Sequence, residues 1–317
     1  MVRLFSGNRA GVLLLLPVLA GIFFVLNHYT CYYTQEKSSN LGFWGETVVI
    51  YPVFSAIGAA LFVLLNAIMI NRIYNNNEFL ERNSYSSSML YVVLMSFYHS
   101  FYHLDGLLLT HTFLILMMSQ LFRLNQHEDG RRHVFNAMFL AGVGATFHPP
   151  LIALLPFFFF MVWVIRPFNF REFFLGILGF AIPMLYASVY LWYSEHNIDL
   201  KLLDQITDYK NKQTDFLVTA VLFTLIFILS VFSIRSRMQK SSIRLKKLTT
   251  ILWWYLLVAL LLGCIDLFFF RQIERFSFVM IPLSVFLTFS FTNKSLGIFA
   301  TILFYAVFGY SICKFFF

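Results

Sequence analysis

The stretch AGVGATFHPPLIALLPFFFFMVWVIRPFNFREFFLGILGFAIP, residues 141–183, decides the solvent in which this chain folds. Four consecutive phenylalanines, Phe157 to Phe160, run into Met161, Val162 and Trp163, so a helix here is apolar on every face. Water would require burial of that whole circumference, whereas a bilayer makes a uniformly apolar helix the expected solution. The break at His148-Pro149-Pro150 and the basic turn Arg166-Pro-Phe-Asn-Phe-Arg171 divide the stretch into three helical segments. Proline suits the first turn of a helix, where its missing N–H would be unpaired anyway. The segment after His148 therefore presents a helix start, a seat for an anion such as a lipid phosphate or simply a break between helices.

Working outward, the whole chain has the same character. It has 317 residues, 59% hydrophobic and 20% aromatic, with only 12% charged and a mean hydropathy of +0.75. Soluble proteins carry roughly a quarter charged residues. The polar stretches around 193–215 and 235–248 are too short to bury a core, so they read as loops. The expectation is one polytopic transmembrane domain over 1–317, an all-α integral membrane bundle of about 11 transmembrane helices. The apolar segments fall near 10–27, 49–70, 86–102, 104–122, 134–148, 151–165, 172–192, 216–234, 249–269, 276–291 and 297–313.

Cationic loops stay on the cytoplasmic side. The loop with Arg235, Arg237, Lys240, Arg244, Lys246 and Lys247 fixes the orientation, and alternation then puts Arg72, Arg123, Arg131, Arg166 and Arg171 inside as well. The acidic loop with Glu195, Asp199, Asp204, Asp208 and Asp215 falls outside; its interspersed leucines and isoleucines admit an amphipathic helix on the membrane. The chain reads as a multi-pass protein of the cell inner membrane, N-terminus cytoplasmic and C-terminus periplasmic, with Ala10–Asn27 an uncleaved anchor. The formal net charge of +8 is explained by these juxtamembrane cations and anionic lipid, not by nucleic acid. Trp253, Trp254 and Tyr255 read as an aromatic anchor at the inner interface.

Cys31 and Cys313 both fall on the outer side, where a bridge is conceivable, and the three cysteines have no metal-type spacing. His99, His103 and His111 are the nearest approach to a histidine metal site, but a turn near residues 103–106 separates His111 from the others. Asp266, within a helix, needs protein, water or a cation around it, and Arg271 and Arg275 follow closely.

The run GVGATFHPPLIALLPFFFFMVWVIRPFNFREFFLGILGFAIPMLY, residues 142–186, resembles an uncharacterised family of integral membrane proteins of Bacteroidota, in which the Pro-Pro pair and an RPFN(W/F)RE turn recur. More distantly, three places are similar to C-type polyprenyl-phosphate-sugar glycosyltransferases: the outer turn with Asp105, the Phe147-His148-Pro149-Pro150 break, and Arg275-Phe276 followed by Pro282. That resemblance implies a C-type glycosyltransferase-like core and inverting sugar transfer from a lipid phosphate at the outer face. An outer carboxylate, Asp105 or Glu46, would be the catalytic base, with Glu36 the other first-loop carboxylate. His148, Arg275 and Arg271 would bind the lipid phosphate, and a divalent metal ion, with Asp105 as its ligand, would stabilise the departing group.

Three function classes follow. The first is a glycosyltransferase-like enzyme of cell-envelope biogenesis. The second is a non-catalytic subunit that binds lipid, polyprenyl phosphate included, or a membrane-protein partner. The third is a transporter, for which no internal repeat or matched pair of broken helices is apparent in the sequence.

Overall fold

A computed structural model describes residues 2–7, 9–33, 38–39, 41–44, 48–49, 51–80, 82–124, 129–194, 213–239, 241–270, 273–292 and 297–316. The described chain is helical apart from a two-residue antiparallel pairing of Ser38–Ser39 with Val48–Val49. In chain order the helices are α1 (Val2–Phe5), α2 (Leu16–Thr30, continued backwards by a 3-10 turn from Ala10), α3 (Pro52–Asn76), α4 (Ser86–Met95), α5 (Gly106–Leu124) and α6 (Arg131–Phe147). They continue with α7 (Leu155–Ile165), α8 (Phe170–Ser194), α9 (Gln213–Gln239), α10 (Ile243–Phe270), α11 (Met280–Thr292) and α12 (Gly297–Cys313). Further 3-10 turns cover His99–Phe101, Pro149–Leu154 and Glu274–Val279.

Each of the eleven apolar stretches holds helix, yet length and composition make seven of the described helical segments candidate membrane spans. These are Ala10–Thr30, Pro52–Asn76, Gly106–Leu124, Phe170–Tyr193, Ala220–Gln239, Ile243–Ile265 and Glu274–Phe291. Ser86–Met95, Pro149–Ile165 and Gly297–Cys313 are shorter apolar helices. The expected segment 86–102 is thus divided. α4 ends at Met95, and its ten residues rise about 15 Å, half of a hydrocarbon core of about 30 Å.

Burial runs against length. Every residue of α4 is buried, and the Glu274–Phe291 window is 83% buried, whereas Ala220–Gln239 is 18% buried. The long outer helices instead expose Leu14, Phe54, Leu61, Leu185, Trp192 and Phe232, a girdle that only lipid would cover. α4 and the Glu274–Phe291 segment therefore occupy the centre, with α5 and α10 more than half buried beside them, and α3, α8 and α9 form the rim.

The two ends of the bundle differ. At one end Arg166 donates to Glu172 (3.1 Å), Lys247 donates to the Ile165 carbonyl at the end of α7 (3.0 Å), and Arg244 reaches Asn77 after α3 (3.4 Å). Phe5 accepts from the Tyr85 amide just before α4. A Cβ at Gly130 would press on the ends of the Arg166, Leu124 and Glu172 side chains, which would have to shift. The RPFNFRE turn is accordingly an ion-paired joint between α7 and α8. The basic run 235–248 is no loop either: α9 continues to Gln239 and α10 begins at Ile243, so its cations project from helix ends. Trp253 and Trp254 lie within α10, packed on Phe286, Phe227 and Phe160. The acidic loop lies outside the described residues over 195–212.

α6 and α8 approach closely because glycines face backbone in both directions. A Cβ on Gly142 would lie 2.7 Å from the Phe180 carbonyl oxygen, and one on Gly179 would lie 2.6 Å from that of Phe135. Small residues that let helix backbones meet are the usual glue in a bilayer. Gly142→Ala and Gly179→Ala should each destabilise the detergent-solubilised protein by about 1–3 kcal/mol, whereas Gly21→Ala and Gly309→Ala, which face open space, should change little. Equal thermal-unfolding midpoints for all four variants would contradict this packing.

Candidate functional site

At the end opposite the cation cluster, three chain segments depart from α-helix: residues 96–105, 148–154 and 274–279. The first follows directly from the shortness of α4. The Val92, Leu94 and Met95 carbonyls accept from the Ser96, Phe97 and Tyr98 amides, but the Ser96 carbonyl lies beyond the helix, and Ser96, Ser100, Phe101, Tyr102 and His103 are buried. Non-helical backbone at this depth must be satisfied by protein.

Side chains from three other elements do so. Lys314, just beyond α12 and only 3% exposed, donates to the Ser96 carbonyl and to the Tyr33 hydroxyl (3.3 Å). Its ammonium lies within 6 Å of the rings of Tyr32, Tyr33, Phe97, Tyr102 and Phe315. A cation at a helix C-terminus inside an aromatic cage is favourable on both counts. Glu274 accepts from the His99 amide at 3.1 Å and 3.3 Å, so its carboxylate caps the His99–Phe101 turn. Ser55 of α3 accepts from the Leu104 amide (3.0 Å).

Asp105 ends the segment as the cap of α5. One carboxylate oxygen accepts from the Leu108 amide (2.8 Å) and the other from the Ser100 hydroxyl (2.7 Å). This is the usual bond from a helix-capping Asp to the third helical amide. Burial pushes its carboxyl from 3.8 up to about 6, against the pull of those hydrogen bonds. The Glu274 carboxylate lies within electrostatic range of Asp105 and Lys314.

His148 joins α6 to the Pro149–Leu154 turn. Its amide donates to Gly144 and its carbonyl accepts from Leu151. The expected anion seat at this helix start is therefore reduced: Pro149 and Pro150 have no N–H, and the Leu151 amide is engaged. Burial, then the nearby Arg275 guanidinium and His111, hold the His148 imidazole well below the usual histidine range. It is a neutral hydrogen-bonding group, not a substitute cation for the lysine that the resemblance implies. Its Nε2 is buried with no protein partner. The Phe278 ring packs against both His148 and His111, at 5.6 Å and 4.9 Å between centroids.

Arg275, 6% exposed, lies on the same 3-10 turn as Glu274. The structure thus brings Asp105, His148 and Arg275 to one end of the bundle. Glu46, Glu36 and Arg271 lie outside the described residues, as does the side chain of Asp266. The described part of the first loop is held beside this end: Gly42, at φ +64°, leaves room for the Thr146 and Phe147 carbonyls, and the Trp44 indole donates to Thr146 (3.0 Å). Glu274 and Lys314 did not stand out in the sequence. Lys314, a lone charge among aromatics after an apolar helix, was the available signal.

Among the described residues no group of three His, Cys, Asp or Glu could hold a metal ion. His99 and His103 stack on each other at 4.3 Å, while His111 bonds to Tyr91 and Ser277. With both oxygens of Asp105 already accepting hydrogen bonds, the described donors do not fit a divalent cation. Cys31 and Cys313 are free, exposed thiols, so the bridge between them is not made.

The family described as a family of unknown function, DUF6427, matches residues 1–316. The chain belongs to this family. No curated protein and no solved structure matches it. The DUF6427 chain is an all-helical membrane protein with a polar cluster at one end of its bundle.

The raised carboxyl of Asp105 has a definite sign in stability. The folded state holds this proton more tightly than the unfolded state, so its contribution is full below pH 4 and is lost as pH rises to about 6. Asp105→Asn keeps the cap and removes the titration. Between pH 4 and 7 the wild type should lose about 1–3 kcal/mol more than the variant, read from unfolding midpoints across pH; parallel pH profiles would refute it. Lys314→Met, which keeps apolar bulk but strands the Ser96 carbonyl and the neighbouring carboxylate, should cost about 3–5 kcal/mol in the same assay.

Proposed function

We propose that this DUF6427 protein is a single-domain, multi-pass protein of the cell inner membrane that binds a lipid-linked phosphate, such as a polyprenyl phosphate, at the outer face. The observation that carries this reading is the buried, unpartnered Nε2 of His148 in the field of the Arg275 guanidinium. Buried polar atoms are ordinarily paired, and a phosphate oxygen satisfies a neutral imidazole and a guanidinium together. Arg271, four residues before Arg275, is kept as a further phosphate contact. The orientation follows from charge: the end with Arg166, Arg244 and Lys247 is assigned to the cytoplasm with the N-terminus, and the end with Asp105 and Lys314 to the periplasm with the C-terminus. The eleven helical stretches are then read as eleven passes, with α4, α6, α7 and α12 counted as shorter crossings enclosed by long ones.

The second reading is glycosyl transfer to an acceptor in cell-envelope biogenesis, with Asp105 or Glu46 as general base. Its support is the first loop, whose Gly42 and Trp44 pack on residues 146–147 next to His148. Binding ranks ahead of catalysis because Asp105 is already engaged through both oxygens. A non-catalytic subunit that presents the lipid to a membrane-protein partner satisfies the same observation.

A polyprenyl monophosphate should raise the unfolding midpoint of the purified protein, and the matching polyprenol should not. His148→Phe and Arg275→Gln should each weaken binding at least tenfold, as expected for loss of a charge-assisted contact of about 1.5–3 kcal/mol. Equal stabilisation by alcohol and phosphate would remove the headgroup reading. Full complementation by both Asp105→Asn and Glu46→Gln would remove the catalytic one.

A further inference from the structure

A second polar feature runs away from the headgroup cluster into the centre of the bundle. Ser277 lies three residues after Glu274 on a 3-10 turn, where positions three apart are eclipsed, so it stands one turn below Glu274 on the same face. Its hydroxyl bonds to Nε2 of His111 at 3.2 Å, and Nδ1 of His111 bonds to the Tyr91 hydroxyl at 3.1 Å. The Asn66 amide donates to that same hydroxyl at 3.4 Å. Farther along, the Ser87 hydroxyl donates to Asn71 (3.0 Å), and Asn75 accepts from the Ser84 amide (3.1 Å). Ser87 and Tyr91 are four residues apart on α4, as are Asn71 and Asn75 on α3, so each pair shares a helix face.

The result is a seam in two hydrogen-bonded groups between α3, α4 and α5, one turn of α4 apart: Ser84–Asn75 and Ser87–Asn71 toward the cation-rich end, and Asn66–Tyr91–His111–Ser277 toward the acid cluster. Ser87, Asn66, His111 and Ser277 are wholly buried, Tyr91 among them. Interhelical hydrogen bonding alone would account for a saturated seam. This one is unsaturated: Asn66 Oδ1 has no partner, nor does the buried hydroxyl of Tyr255, which lies within electrostatic range of Tyr91. A water between Asn66 Oδ1 and the Tyr255 hydroxyl would satisfy both.

We propose that this seam is a proton path joining the cation-rich end to Glu274 and Asp105. Asn66 donates to Tyr91, and the path runs through the His111 tautomer in which the Tyr91 hydroxyl donates to Nδ1 and Nε2–H donates to Ser277. One transfer moves the Tyr91 proton to Nδ1 while His111 releases its Nε2 proton toward Ser277. Tyr91 is reprotonated from water at Asn66 and Tyr255, and Ser277 passes its own proton to the Glu274 carboxylate above it. Charge is conserved at each step, and rotation of the hydroxyls and exchange of the imidazole tautomer reset the chain. Around its acid end stand Asp105, Lys314, Arg275 and the neutral His148. Amides, hydroxyls and one imidazole offer no cage for a metal cation, so the path is specific to protons. It is independent of the headgroup reading.

The full chain in liposomes with an entrapped pH-sensitive dye, valinomycin and potassium clamping the voltage, tests this directly. After a pH jump the wild type should collapse the gradient at least fivefold faster than protein-free vesicles. Tyr91→Phe, which removes one oxygen, and His111→Phe should each return the rate to near that baseline. Size-exclusion profiles and unfolding midpoints identify the variants that fold, and Tyr91→Phe preserves ring packing. A wild-type rate equal to protein-free vesicles overturns the proposal, as does wild-type conduction by folded Tyr91→Phe, which would mark the seam as helix glue. Polyprenyl-phosphate binding on the same preparations reports the headgroup site separately, so either reading fails without the other.

Discussion

The backbone between Met95 and Gly106 has to make its hydrogen bonds without a helix and away from water, and the rest of the structure is arranged around that demand. An unmet N–H or C=O costs several kcal/mol in such surroundings. The Ser96 carbonyl is met by Lys314, the His99 amide by Glu274, the Leu104 amide by Ser55 and the Leu108 amide by Asp105. These partners come from the end of α12, the turn before α11, α3 and the cap of α5. Each charge would be expensive alone: a buried ammonium and two half-buried carboxylates. Together they neutralise one another while satisfying the break, and this draws three remote parts of the sequence to one end of the bundle.

The opposite end solves its problem with different chemistry. There α7 and α8 are joined by the Arg166–Glu172 pair, seated on Gly130, while Lys247 caps the end of α7. Cations at helix C-termini and an acid in the first turn of α8 complement the helix dipoles. The same residues that set orientation by charge are thus structural members of the joint. A positive surface there needs no nucleic-acid or anionic substrate to explain it.

Much of this was legible in the sequence because lipid imposes a simple pattern. Phe157–Phe160 and the long apolar runs of α3, α8 and α10 announce helices with no further information. The His148-Pro149-Pro150 break and the Arg166–Arg171 turn fall where the punctuation puts them. α4 is shorter than the run 86–102 suggests: hydropathy records what tolerates lipid, not where hydrogen bonding stops, and Ser96 and Ser100 differ in nothing from Ser86, Ser87 and Ser88, which are helical. Glu274 and Lys314 were missed for a related reason. Their value lies in backbone groups some 175 and 218 residues distant, a relation that no local spacing carries.

The break also bears on which chemistry the site can perform. A general base needs a lone pair that reaches its substrate. Each Asp105 oxygen accepts one hydrogen bond, from the Leu108 amide or from Ser100, and keeps a second lone pair. Glu274 accepts from the His99 amide in the same way. The His148 imidazole differs, because its Nε2 makes no bond within the protein and its neutrality lets it donate or accept. Recognition of an incoming oxygen at His148 therefore displaces no bond of the fold, whereas chemistry at Asp105 would act on a group that also caps α5 and holds Ser100.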